Sequence, residues 1–352
     1  MPSPARPQRL ALGLVLTGTL TLAACGGSDT PGSTTGDEGT PAGGLSVVTS
    51  TDVYGSIAEQ VAGDLLGQGV EVTAIIDDPN LDPHSYEATA RDQLALSRAT
   101  VVVENGGGYD PFIETMLGSS DAQPVVVDAV ELSGKEPAAD ASTPSATTEE
   151  HDHDHGSADH EGEDHADHGD GHAGHDHVEG LNEHVFYDLA TASKVAEAIA
   201  TALGEKDPSQ AATFTANAAA FADKIDALQQ QATAAQQTVG GKDVVVTEPV
   251  PDYLLEAMGV NDVTPPEFSE GVEEGTDVPA TVLAQTLDLV SGGTAKAVVY
   301  NEQTSGAQTD QVQQAATAAG VPVVPVTETL PAGKTYEEWM RDNITAITDA
   351  LG

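Results

Sequence analysis

Three features of the 352-residue sequence predict an α/β protein of two lobes, each a mainly parallel sheet flanked by helices, joined by one long rigid helix. Short Val/Ile-rich runs alternate with helical patterns. That alternation occurs twice. A glycine-free, Ala/Gln-rich stretch separates the two passes.

In the first pass the runs at 45–49, 70–76, 101–104 and 124–127 read as buried strands, β-branched and bounded by Gly, Asp or Asn. Helices are predicted over 53–66, 89–98 and 110–117, with a further one at 189–203. In the second pass, strands at 243–247, 297–301 and 321–326 alternate with helices at 251–258, 280–291 and 309–319. A last helix covers 336–351. Between the passes, residues 208–239 hold neither glycine nor internal proline, and Phe214, Phe221, Ile225 and Leu228 form a one-sided stripe. Pro208-Ser209 and Gly240-Gly241 punctuate its ends.

The ends of the chain and one insert read differently. Arg6 and Arg9 precede an apolar run over 10–22 that is too short to span a bilayer, so residues 1–24 are expected to be a signal peptide. Leu22-Ala23-Ala24-Cys25 places small residues before the chain's single cysteine, as a lipobox requires. Cys25 is therefore the expected lipidation site, and residues 25–44 a flexible tether from the membrane. The expected body is then a first lobe over 45–204, an interlobe helix over 205–239 and a second lobe over 240–352. The first lobe contains an acidic, His-rich loop over 134–181, expected to be disordered because its composition cannot bury a core.

The net charge of −45, from 12 basic and 57 acidic residues, excludes nucleic acid as a natural partner, which needs clustered Lys and Arg. Such a field favours a cation. Nine of the eleven histidines lie within 151–177: His151, His153, His155, His160, His165, His168, His172, His175 and His177. Imidazole suits Zn, Cu and Ni, and is poorly matched to Mg or Ca. The loop is thus an auxiliary metal-collecting element of many weak sites.

The other two histidines are sharper candidates. His84 lies in Asp82-Pro83-His84-Ser85-Tyr86-Glu87, just past a predicted strand, where loops of an α/β lobe form the ligand crevice. His184 lies in Asn182-Glu183-His184-Val185-Phe186-Tyr187-Asp188, just before a predicted helix. Singly, each could be structural. As a pair flanking the His-rich insert, they are candidate metal ligands.

At four places the chain resembles the zinc/manganese-specific solute-binding proteins of ABC importers, the cluster A-I lipoproteins. Ser50-Thr51-Asp52-Val53-Tyr54 is similar to the family's opening strand and helix, and Asp82-Pro83-His84-Ser85-Tyr86-Glu87 to its first-ligand motif. The run from Glu104 to Phe112 resembles its glycine turn, and Glu183-His184-Val185-Phe186 its second-ligand motif. The order matches, and so does the poly-His insert between the two ligand motifs. The resemblance implies two lobes tied by one helix, and a metal held by His84, His184 and Glu248, the last standing where zinc members carry a histidine and manganese members a glutamate. Glu302 is the candidate to replace a further aspartate.

The resemblance further implies high-affinity capture of zinc (manganese is the alternative), the His-rich loop collecting metal, and delivery to an ABC permease and its ATPase. The protein would be a monomer on the extracytoplasmic face of the cell membrane, held by the lipid on Cys25, and not an enzyme. A metallohydrolase is the enzymatic rival, but the sequence has no HExxH helix. A lipid-anchored zinc store, chaperone or adhesin would share the same site.

Overall fold

The computed structural model describes residues 44–135 and 180–352. The signal peptide, Cys25, the tether and the nine-histidine insert expected from the sequence lie outside these residues. The first lobe runs β1 (Leu45–Thr51), α1 (Asp52–Ala62), β2 (Val70–Ile76), α2 (Ala90–Leu96), β3 (Val101–Glu104), α3 (Pro111–Gly118), β4 (Val125–Asp128) and α4 (Ala129–Ser133). Two helices follow, α5 (Leu189–Lys206) and α6 (Ala211–Val239). The second lobe runs β5 (Asp243–Val246), α7 (Asp252–Ala257), β6 (Asn261–Asp262), α8 (Pro266–Glu273), α9 (Ala280–Ser291), β7 (Ala297–Asn301), α10 (Ala307–Ala319), β8 (Val323–Val326) and α11 (Tyr336–Leu351).

Both sheets are four-stranded and wholly parallel, in the orders β2-β1-β3-β4 and β6-β5-β7-β8. Each chain path steps from its first strand to one side and then crosses back over it. The direction reverses between β1 and β3, and again between β5 and β7. Crevices at the C-terminal ends of such strands are where open α/β sheets bind ligands.

Successive strand residues face opposite sides, so each sheet is buried on both. Val47, Val101 and Val103 join a large apolar cluster, while Val48 and Val102 pack outward with Ile113 and Met116. The second lobe repeats this, with Val244, Val246 and Val299 in the large cluster and Val245 and Val298 against Phe268 and Val312. The large cluster therefore runs from one sheet to the other. It passes through α6, whose Phe214, Ala218, Phe221, Ile225, Leu228, Ala232, Ala235 and Val239 form an unbroken buried stripe. At about 1.5 Å per residue this helix is roughly 43 Å long.

Several elements differ from expectation. The interlobe helix starts at Ala211 rather than 205, because α5 continues to Lys206 and the chain breaks at Asp207-Pro208. Proline has no N–H to give and disfavours helix in the residue before it. α1 ends at Ala62, where Gly63 takes a φ of 55°. β6 is only two residues long, too short to leave a pattern. α8 begins on the second of two prolines, Pro265-Pro266, and contains Gly271, composition that reads as loop.

Candidate metal centre

The loop after β2 carries the first imidazole. Asp82 accepts a hydrogen bond from the His84 N–H at 2.9 Å, and Pro83 opens a single 3-10 turn, Pro83–Ser85. The turn directs His84 inward, where it is 7% exposed. Gln303, from the loop after β7, donates its side-chain amide to Pro79 O and Leu81 O and accepts from the Glu328 N–H. One side chain thus ties the His84 loop of the first lobe to the second.

His184 is fixed more tightly. Asn182 Oδ1 accepts from the His184 N–H and lies 2.9 Å from His184 Nδ1, while Asn182 Nδ2 donates to Pro249 O at 2.8 Å. Since Oδ1 can only accept, Nδ1 carries the proton and the Nε2 lone pair is left for a metal. Tyr253 Oη donates to Asn182 O at 2.6 Å from the second lobe. Asn105, after β3, donates to Glu183 O at 2.9 Å and accepts from Tyr54 Oη.

The glycine turn after β3 sets the wall between the imidazoles. Gly106, Gly107 and Gly108 all have positive φ, at 76°, 68° and 95°, a region only glycine enters readily. A Cβ on Gly106 would stand 2.5 Å from Asp128 Oδ1. Asp110 closes the turn by accepting from the N–H groups of Asn105 and Gly106. Tyr109 is thereby presented edge-on to both rings, its centroid 4.9 Å from His84 and 5.8 Å from His184.

The two ring centroids lie 5.6 Å apart, and the carboxylate that meets both is Glu328. Its Oε2 is 3.2 Å from His84 Nε2 and 3.6 Å from His184 Nε2. Ligands bound at about 2.1 Å in a tetrahedron stand about 3.4 Å apart, so these spacings fit atoms meant for one ion. Glu273, at the end of α8, places Oε1 3.4 Å from His184 Nε2. His184 Nε2, Glu273 Oε1 and Glu328 Oε2 are all buried and make no hydrogen bond. Buried polar atoms are seldom left so, and one cation would satisfy His184 Nε2 and Glu328 Oε2 together.

Electrostatics agree. Burial disfavours charge on His84, but the Glu328 carboxylate overrides it and pushes the imidazole up to about 10. Burial would raise Glu328, yet the His84 charge and both imidazoles hold it well below the usual carboxylate range. Burial and the Glu328 charge push Glu248 up to about 8. Burial and the Glu183 charge push Glu273 up to about 9. The cleft holds more carboxylates than its positive charge can keep ionised, and a divalent cation corrects that imbalance.

Two of the expected ligands, Glu248 and Glu302, lie outside both candidate metal groups among the described residues. Glu248 is buried just beyond β5, but its carboxylate accepts from Asn301 Nδ2 and Thr304 Oγ1, and it belongs to neither candidate metal group among the described residues. Asn301 Nδ2 also donates to Glu328 Oε1 at 2.8 Å, so Glu248 stands one amide behind Glu328. The three side chains form a row because β5, β7 and β8 are adjacent and parallel. Glu302 is exposed, its N–H given to Val326 O. Strand alternation turns it away from the site, since Asn301 before it points in. Glu328 was missed although it lies two residues past a predicted strand, where the crevice rule that singled out His84 applies equally. Glu273 left no signal, sitting on an unpredicted helix.

A family model described as zinc-uptake complex component A, periplasmic, matches residues 47–350. The manganese-binding lipoprotein MntA of Halalkalibacterium halodurans is 27% identical over 284 residues, 76% of this chain and 78% of the relative. The high-affinity zinc uptake system protein ZnuA of Paracoccus denitrificans is 34% identical over 228 residues, 61% of this chain and 64% of the relative. Among solved structures, the periplasmic zinc-binding protein TroA of Treponema pallidum superposes with a TM-score of 0.65 at 18% identity, over 88% of this chain and 100% of that one. That likeness speaks to the fold.

Proposed function

The chain belongs to the periplasmic zinc-uptake component A family, and from that premise we propose that it captures zinc outside the cytoplasm and delivers it to an ABC-type permease and its ATPase. Zinc is the cargo, and Cys25 holds the protein to the membrane through its lipid. The observation that carries the reading is the meeting of His84, His184 and Glu328 at ligand spacing, with buried lone pairs turned toward one another. Two neutral imidazoles and a carboxylate are a donor set well suited to zinc. His184 arrives ready, its tautomer fixed by Asn182. His84 gives up a proton when the cation takes its place.

Glu248 is the proposed fourth ligand, reached when its carboxylate exchanges Thr304 for the ion. Asn301 keeps Glu248 and Glu328 side by side during that change. His84 and His184 come from the first lobe, Glu248 and Glu328 from the second, so occupancy bears on how the lobes meet, and a permease can distinguish loaded from metal-free protein. The His-rich insert collects metal for the same cleft.

Manganese is the second reading, favoured by the additional carboxylates of Glu248 and Glu273 around the imidazoles, since harder oxygen donors suit that ion. Elemental analysis of protein purified without added metal separates the two. One equivalent of zinc in the wild-type protein, absent from His84→Ala and Glu328→Gln, is the expected result. Manganese in its place selects the second reading, and tight binding that survives both substitutions removes the site.

A further inference from the structure

His84 faces a second set of ligands. His84, Glu183 and Glu273 also bring ligand atoms within 4.8 Å of one another, and this group shares only His84 with the group of His84, His184 and Glu328. Glu183 is 3% exposed and the Glu273 side chain 9%. Beside Glu273 opens a cavity of about 440 Å³, lined among others by Asp82, Asp277, Gln303 and Thr304.

Taking the cleft to capture a divalent cation, as above, we propose that His84, Glu183 and Glu273 form a receiving station, which a borderline divalent cation such as zinc occupies before it passes to His84, His184 and Glu328. A neutral imidazole has one lone pair, so His84 serves one ion at a time. The two groups are therefore alternative positions along one path, not two stores.

The path needs no bare ion. Zinc enters the acidic cavity between Asp82 and Asp277, where the local field concentrates cations. It meets Glu273 at the cavity wall and is gripped by Glu183 and His84. Glu273 Oε1 lies only 3.4 Å from His184 Nε2, so His184 replaces Glu273 as the ion keeps its bond to His84, and Glu328 replaces Glu183. Each carboxylate leaves as the next ligand arrives. Direction follows from the donors: the station offers one imidazole and two carboxylates, the inner group two imidazoles and one. Borderline zinc prefers the second set.

The test uses the full chain and Zn²⁺ alone. Rapid mixing against a fluorescent chelator gives capture and release rates, and equilibrium competition gives Kd. Glu183→Gln and Glu273→Gln are each expected to slow capture and release about tenfold, with Kd changed less than threefold. Unchanged rates overturn the station. So does a loss of affinity as large as that of Glu328→Gln, which would make the carboxylate an inner ligand. Crystals of Glu328→Gln soaked with Zn²⁺ are a second measurement that does not depend on the folding of the other variants. An anomalous peak among His84, Glu183 and Glu273 is expected, and a peak elsewhere, or none, overturns the proposal. If the wild-type protein shows no tight site, the capture reading fails. If it binds tightly with these results negative, only the station does.

Discussion

Asn182 shows how much of this site depends on a residue that is not itself a metal ligand. Its amide fixes the His184 tautomer with one end and holds Pro249 of the second lobe with the other. Partners of this kind raise ligand basicity and orient the ring, and their loss typically weakens metal affinity 10- to 100-fold. Asn182→Ala is accordingly expected to raise the zinc Kd by about that factor while the melting temperature of the metal-free protein moves little. Competition titration beside a thermal melt measures both. The residue scale is also where sequence reading was least complete. His84 and His184 sit in short local motifs whose chemistry is visible in one dimension. Glu328 and Glu273 acquire meaning only from what lies across the cleft. Glu302, on the right loop, is turned outward by strand alternation, and its neighbour Asn301 occupies the interior.

At the scale of elements, the turn after β3 is the part least tolerant of change. Three consecutive positive-φ glycines let the backbone reverse tightly enough to set Tyr109 against both imidazoles. At Gly106 a side chain meets both an unfavourable φ and the Asp128 carboxylate 2.5 Å away. Strained backbone of this sort costs about 1–3 kcal/mol, and displacing Asp128 adds to it. Gly106→Ala should therefore destabilise the fold by about 2 kcal/mol or more, read from denaturant midpoints, and should lower affinity through Tyr109. Gly67, equally left-handed but with nothing within 4 Å, should tolerate alanine better and serves as the control. β3, β5 and β7 were legible because each is buried on both faces and so reads as a nearly continuous apolar run. α8 was not, because its helix is stabilised by Phe268 packing beneath the second sheet rather than by propensity.

For the whole molecule, the continuous core through α6 and the buried carboxylates pull in opposite directions. Among the described residues, no helix is long and apolar enough to cross a membrane. Away from the metal cleft, burial pushes Glu104 up to about 8, with Asp110 and Asp128 adding to it, and pushes Asp252 up to about 8. A carboxyl whose folded pKa lies above its unfolded one binds more protons when folded. Its contribution to stability is complete below about pH 4 and is lost as pH rises through about 8. Metal-free protein should therefore melt lower at pH 8 than at pH 5. Glu104→Gln should raise the melting temperature at pH 8 by about 2 °C or more and leave pH 5 nearly unchanged. Calorimetry at the two pH values decides it, and an equal shift at both would remove the ionisation argument.

The sequence by itself determined the alternation of strands and helices, the apolar stripe of the connecting helix, and two histidines in loops, one just past a strand and one just before a helix. Those properties follow from local periodicity, from turn chemistry and from residue types whose donor atoms are known in advance. Which carboxylate meets the imidazoles was decided only by tertiary structure. The strand order β6-β5-β7-β8 lines up Glu248, Asn301 and Glu328, and α8 brings Glu273 beside His184. Positions far apart in sequence become neighbours through sheet order and lobe contact, and no local pattern encodes that order.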